Sequence, residues 1–176
     1  LDQVVDYRER ELKAKACLQQ IQGEGPIPNL TEVEGHFLEV IQNDLHEAQA
    51  WLPCLRRLLK QCDVYGQGVL QRLLGRYYEN LSHHRQAIKW TERALSCFEA
   101  IKYQPGIGQC ARLLFTAHAH LGEYLPATAQ AKAMLSLAEL PSEERLKITI
   151  NLGALAYRQH DYPAAQKYFA QAHEQL

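Results

Sequence analysis

Eight histidines, five cysteines and two sets of neighbouring carboxylates are the residues here able to hold a metal, attack an electrophile or move a proton. Their spacing offers a motif for none of these. Cys17, Cys54, Cys62, Cys97 and Cys110 form no CxxC and are odd in number, which reads as reduced, mostly buried thiols of a cytoplasmic chain. There is no HExxH and no Cys/His zinc spacing. His83 and His84 fall at a turn, while His118 and His120, two apart on a helix, point away from each other. The sequence thus assigns no metal. Glu32/Glu34 and Glu143/Glu144 look like paired acids, but helix N-termini already favour acidic side chains at such places. Gly106-Ile107-Gly108 lacks the rest of a dinucleotide fingerprint and the strand before it, and reads as a helix-start turn. No GxSxG and no activated cysteine appears, so the expectation is a protein that is not an enzyme and carries no cofactor.

The elements that would position these side chains are helices. A chain of 176 residues, 47% hydrophobic and 22% charged, is long enough for a substantial core and ordinary in composition for a globular protein. Nineteen basic and twenty acidic residues give no global basic excess for nucleic acid. Charge is uneven: residues 1–66 hold 7 Lys/Arg and 11 Asp/Glu, residues 67–176 hold 12 and 9. No stretch approaches the roughly 18–20 uninterrupted apolar residues that span a bilayer. The start, Leu1-Asp2-Gln3-Val4-Val5-Asp6, is not a signal peptide, and Leu1 in place of Met suggests a piece of a longer chain.

Apolar residues recur three and four apart between breakers, predicting helices at 2–22, 31–42, 45–61, 67–81, 84–101, 106–121, 124–138, 143–159 and 162–175. Thr31 and Glu34 have the form of a capping box, and Ser142 that of a capping hydroxyl. Gly23 to Pro28 is the clearest linker, which divides a leading helix and linker (1–28) from a longer array (29–176).

Three segments of that array align with one another. They hold Leu74-Gly75, Tyr78, Leu81, Ala87 and Ala94-Leu95; Leu114-Phe115, Leu121-Gly122-Glu123-Tyr124, Ala127 and Ala131; and Leu152-Gly153, Tyr157, Asp161-Tyr162, Ala165, Phe169 and Ala172. Ala87, Ala127 and Ala165 are 40 and 38 residues apart, and Ala48 extends the series by another 39. The pattern resembles the tetratricopeptide repeat, extended beyond the usual length of about 34 residues. The resemblance implies an all-α fold, a right-handed solenoid of stacked antiparallel helix pairs. Small residues (Gly75, Gly153, Ala87, Ala127, Ala165) would then let helices approach, with Tyr78, Tyr157 and Phe169 filling the space beside them.

The resemblance also implies that the first helix of each pair lines a concave groove where partners bind. One stripe of those helices, with its neighbours, holds Arg72, Arg76 and Asn80, then Arg112, Thr116 and His120, then Lys147, Asn151 and Arg158. Arginine grips carboxylates through two donors and asparagine pairs with peptide backbone, which suits an acidic peptide or protein segment. The family's clamp for C-terminal carboxylates is not reproduced, since Leu113 stands where an Asn belongs. The function expected is a protein–protein interaction scaffold, with no direct binding of nucleic acid or membrane. Two alternatives stand beside it: a sensing segment of a larger signalling or transcription-regulating protein, and a module that self-associates through an uncapped C-terminal end.

Overall fold

The computed structural model describes residues 2–23, 29–137 and 141–174, and in the first helix the side chains of residue 10 and residues 12–22. Among the described residues there are nine helices and no strand: α1 (Asp2–Gln22), α2 (Leu30–Asn43), α3 (Leu45–Leu59), α4 (Val64–Asn80), α5 (His84–Ala100), α6 (Gln104–His120), α7 (Tyr124–Leu135), α8 (Ser142–Arg158) and α9 (Tyr162–His173). Each packs chiefly against its neighbour in sequence, and α4 also touches α2 and α6. The all-helical reading is therefore correct, and all nine predicted helices are present. Beyond Gly23 the predicted linker lies outside the described residues, as do residues 138 and 175 at the ends of two predicted helices.

Helix starts are where local reading and structure part. Asn29, not Thr31, caps α2, its side-chain oxygen accepting from Thr31 N at 3.0 Å. Glu34 makes no capping box; it pairs with Arg72 of α4 instead. Pro141 precedes α8 and no side chain caps it, so Ser142 is the first helical residue rather than the cap. The start of α4 comes three residues earlier than expected because Asp63 accepts from Gly66 N at 2.8 Å. Asp44 and Asp161 cap α3 and α9 in the same way.

Four reversals, the three from α4 to α7 and the one between α8 and α9, share one geometry. Ser82, Lys102, Gly122 and His160 all take a left-handed backbone, with φ of 59°, 55°, 71° and 61°. In each turn the next N–H reaches back to a carbonyl five residues earlier, as in His83 N to Tyr78 O and Asp161 N to Ala156 O, both within 3.0 Å. These are helix C-terminal motifs in which glycine is the unstrained residue, yet only Gly122 is one. A turn this short folds consecutive helices into hairpins.

Small residues set how closely the hairpins close. A Cβ on Gly75 would stand 2.4 Å from Thr91 Oγ1, and that hydroxyl is fixed by its own bond to Ala87 O at 2.7 Å. A Cβ on Gly153 would stand 2.7 Å from the Phe169 ring. Ala87, Ala127 and Ala165 are 2%, 0% and 3% exposed at the matching places in the second helices. Gly106 is not in a turn: it lies inside α6, facing Gly68 of α4 across the Phe98 ring, with hypothetical Cβ contacts of 2.5 and 2.7 Å. Tyr157 departs from the expected filling role, being 60% exposed. The largest core cluster runs through α1–α5 and reaches Cys110, with Phe37, Trp51 and Phe98 at its centre; two smaller clusters lie between α5 and α8.

Candidate functional site

The nine residues of the expected groove stripe fall on α4, α6 and α8 as predicted, but their surroundings divide them. Arg72 is 8% exposed and its guanidinium Nη2 donates to Glu34 of α2, while its Nε is buried without an acceptor. Such a burial requires a counter-charge, and Glu34 supplies it. Arg112 donates to Glu144 Oε2 of α8 at 2.7 Å from a side chain still 57% exposed. Lys147 lies 2.7 Å from Glu143 and 3.8 Å from Glu144 on its own helix. That contact, first by its hydrogen bond and then by its charge, holds the Glu143 carboxyl below its usual range and the Lys147 ammonium above it. Both groups face solvent, where screening leaves such a pair little net worth.

Thr116 donates to Arg112 O one turn back at 3.0 Å, and Asn80 makes a long 3.5 Å bond to Ile41 O. His120 turns toward Glu79. Arg76, half-buried, and Asn151 and Arg158, both exposed, have no hydrogen-bond or ion-pair partner among the described residues. The structure thus turns Arg72, Arg112 and His120 into ties between helix pairs and leaves Arg76, Asn151 and Arg158 with free donors.

The densest polar constellation lies at the α4–α5 turn. Glu79, in the last turn of α4, is 8% exposed. Its Oε2 lies 3.0 Å from Nδ1 of His84, the first residue of α5, and its Oε1 lies 2.9 Å from Nδ1 of His120 in the last turn of α6. The two imidazole rings are 4.6 Å apart between centroids. Beside this cluster, Glu123 receives His118 Nδ1 at 2.7 Å and Arg85 at 2.7 Å. The hydrogen bond from His118, followed by the charge of Arg85, holds the Glu123 carboxyl below its usual range. His118 and His120 therefore do point to different partners, Glu123 and Glu79.

Glu79 was not among the residues singled out from sequence, and His84 was read only as a turn residue. A signal for them existed: a 40-residue register places His120 opposite Asn80, hence beside Glu79. Glu34 and Glu144, which neutralise two of the predicted groove cations, were read only as helix-start acids.

No family model matches this chain, and no curated protein matches it. What the structure itself defines is an all-helical chain of consecutively packed helices, joined between α4 and α7 and between α8 and α9 by a recurring turn. None of the described helices is long and apolar enough to cross a membrane.

Proposed function

We propose that the chain is a protein–protein interaction scaffold: a tetratricopeptide-like solenoid whose helices α4, α6 and α8 present a groove to an acidic peptide or partner segment. The observation that carries this reading is the set of unsatisfied donors on Arg76, Asn151 and Arg158, which lie on the predicted binding stripe while its other cations are already paired. A half-buried guanidinium with no internal partner is suited to a bidentate carboxylate brought by a ligand. The scaffold reading involves no catalysis, and a cytoplasmic setting fits five cysteines that are all free.

Probing an array of acidic peptides with the chain and with an Arg76→Glu/Arg158→Glu variant tests this. Selected peptides should bind the wild type in a salt-sensitive manner and the variant at least about tenfold more weakly, the loss expected on removing charge-assisted hydrogen bonds. Equal binding by the two proteins would overturn the assignment of the groove.

One further observation favours self-association as a second reading. Tyr157, Tyr162 and Phe169 are 60%, 54% and 42% exposed, and the first two rings lie 5.5 Å apart on the surface of α8 and α9. Sedimentation over a range of concentrations should then show a dimer that Tyr162→Ser weakens; a monomer throughout would exclude this reading.

A further inference from the structure

Glu79 is a buried carboxylate whose hydrogen-bond partners are two imidazoles. A buried negative charge calls for a compensating positive one, and a neutral imidazole offers a hydrogen bond but no full charge. The neighbouring guanidinium, Arg85, is engaged with Glu123 at 2.7 Å. The feature that needs explaining is a carboxylate placed between two histidines that come from different helices.

We propose that Glu79, His84 and His120 bind a divalent transition-metal ion, for which Zn2+ is the best fit. Imidazole nitrogen and carboxylate oxygen are ligands of choice for zinc, and two histidines with one glutamate are a complete protein set for a site that keeps an open position. The geometry is close to what coordination requires. Zinc bonds of about 2.0–2.2 Å place tetrahedral ligand atoms about 3.3–3.6 Å from one another. Here the two nitrogen–oxygen separations are 3.0 and 2.9 Å, each to a different oxygen of the carboxylate, and a set of one donor atom from each residue lies within 4.8 Å of one another. The His120 side chain is 55% accessible, which makes it the ligand with room to turn toward a shared ion.

The step is a ligand exchange. Each Nδ1 that faces the carboxylate gives up its hydrogen bond, the ring proton resides on Nε2, and the Nδ1 lone pair takes the metal. The carboxylate stays between the rings and now faces the ion. The remaining position points to solvent on the His120 side, where water or a carboxylate of a bound partner completes the shell. Because the three ligands lie at the end of α4, the start of α5 and the end of α6, the ion would cross-link two successive helix pairs. Its binding free energy would then add to the stability of the folded chain.

Sequence spacing conceals this site. Glu79 and His84 are separated by a turn, and His120 arrives from 36 residues beyond His84. Thiols are the competing ligands in the chain. Burial pushes Cys110 up to about 12 and also raises Cys62 and Cys97, which makes thiolate ligation less favourable in the native state.

Co2+ is the probe of choice, because its visible absorption reports ligand type, with Zn2+ as competitor. The full chain should take up one equivalent of Co2+ with d–d absorption and no thiolate-to-metal charge-transfer band, and Zn2+ should displace it. His120→Ala should weaken binding by at least about tenfold, since losing even an outer-shell partner of a metal site has that effect. His120→Gln, which keeps a hydrogen-bond donor for Glu79 but no imidazole, should behave like His120→Ala and guards against an effect of misfolding. His118→Ala, whose ring serves Glu123, should bind as wild type. Zn2+ should also raise the melting temperature of the wild type by several degrees at about a hundredfold excess over its Kd, and raise that of both His120 variants by about half as much or less. The proposal is overturned by any of three results: no saturable uptake, a thiolate band, or His120 variants that bind like the wild type.

Discussion

In α1–α5 the space between helices is filled by large side chains: Phe37, Trp51 and Phe98 are at most 1% exposed, and Phe37 and Trp51 lie 5.7 Å apart. In α6–α9 the buried residues are smaller and fewer, with Ala111, Ala131, Met134, Ile148 and Leu152 making the main cluster. Three of the four aromatic residues of α8 and α9, Tyr157, Tyr162 and Phe169, lie instead at the surface, and Tyr168 is partly buried against that cluster. Both regions pack helices side by side and both expose some large apolar side chains, Leu12 at 68% in the first and Leu125 at 78% in the second, but only the first is built around large buried aromatic rings. The ion pairs follow the same division. Arg72 is enclosed where it meets Glu34, and Arg112 is open to solvent where it meets Glu144. Stability should therefore be concentrated toward α1–α5, and adaptable surface toward α6–α9.

The largest test of that contrast is truncation of aromatic side chains. Trp51→Ala should cost about 3–5 kcal/mol in urea denaturation, whereas Phe169→Ala should cost no more than about 1–2 kcal/mol. Equal losses would dissolve the distinction. Next in size is the crowding of hairpins. Gly75→Ala should destabilise by about 1–3 kcal/mol, because the added Cβ meets a hydroxyl already locked to the α5 backbone. Gly108→Ala meets only the tip of Leu137 and should change stability by less than about 1 kcal/mol, the helix preference for alanine offsetting the contact.

Smaller again is the effect at the recurring turns. Lys102→Gly relieves a left-handed residue and should stabilise by about 1 kcal/mol, while Gly122→Ala should destabilise by a similar amount. Both are measurable as shifts in denaturation midpoint at constant slope. The smallest effect is one of pH. The Glu123 carboxyl is held low by His118 and Arg85, so its contribution is present above the unfolded carboxyl range and is lost as pH falls through the folded value. Glu123→Gln should lower stability slightly near neutrality and leave it unchanged below the folded value, which flattens the acid limb of the profile by the same small amount; an unchanged acid limb would mean that the pair carries nothing.

Most of the architecture was legible because helices declare themselves locally. Apolar spacing marks all nine elements, and the recurrence of Gly75 and Gly153 with Ala87, Ala127 and Ala165 marks the close approaches. Caps were less legible, because several residues in a row can play the part: Asn29 outcompeted Thr31, and Ser142 caps nothing. Least legible was the state of the charges. Spacing by four places Arg72, Arg76 and Asn80 on one stripe, but whether a guanidinium is free depends on a helix that arrives from elsewhere in the chain. Glu34 lies 38 residues before Arg72, and Glu144 lies 32 after Arg112. The Glu79–His120 contact was recoverable from the repeat register, since that register is a statement about which helices lie side by side.

Double-mutant cycles on the two inter-helix ion pairs test most directly whether the groove stripe is divided between buried ties and open surface. Glu34→Gln with Arg72→Met should yield a coupling of about 2–3 kcal/mol, since each single change strands a partly buried charge. Glu144→Gln with Arg112→Met should yield less than about 0.5 kcal/mol. A coupling at Glu34–Arg72 as small as that at Glu144–Arg112 would contradict the account and return Arg72 to the expected binding stripe.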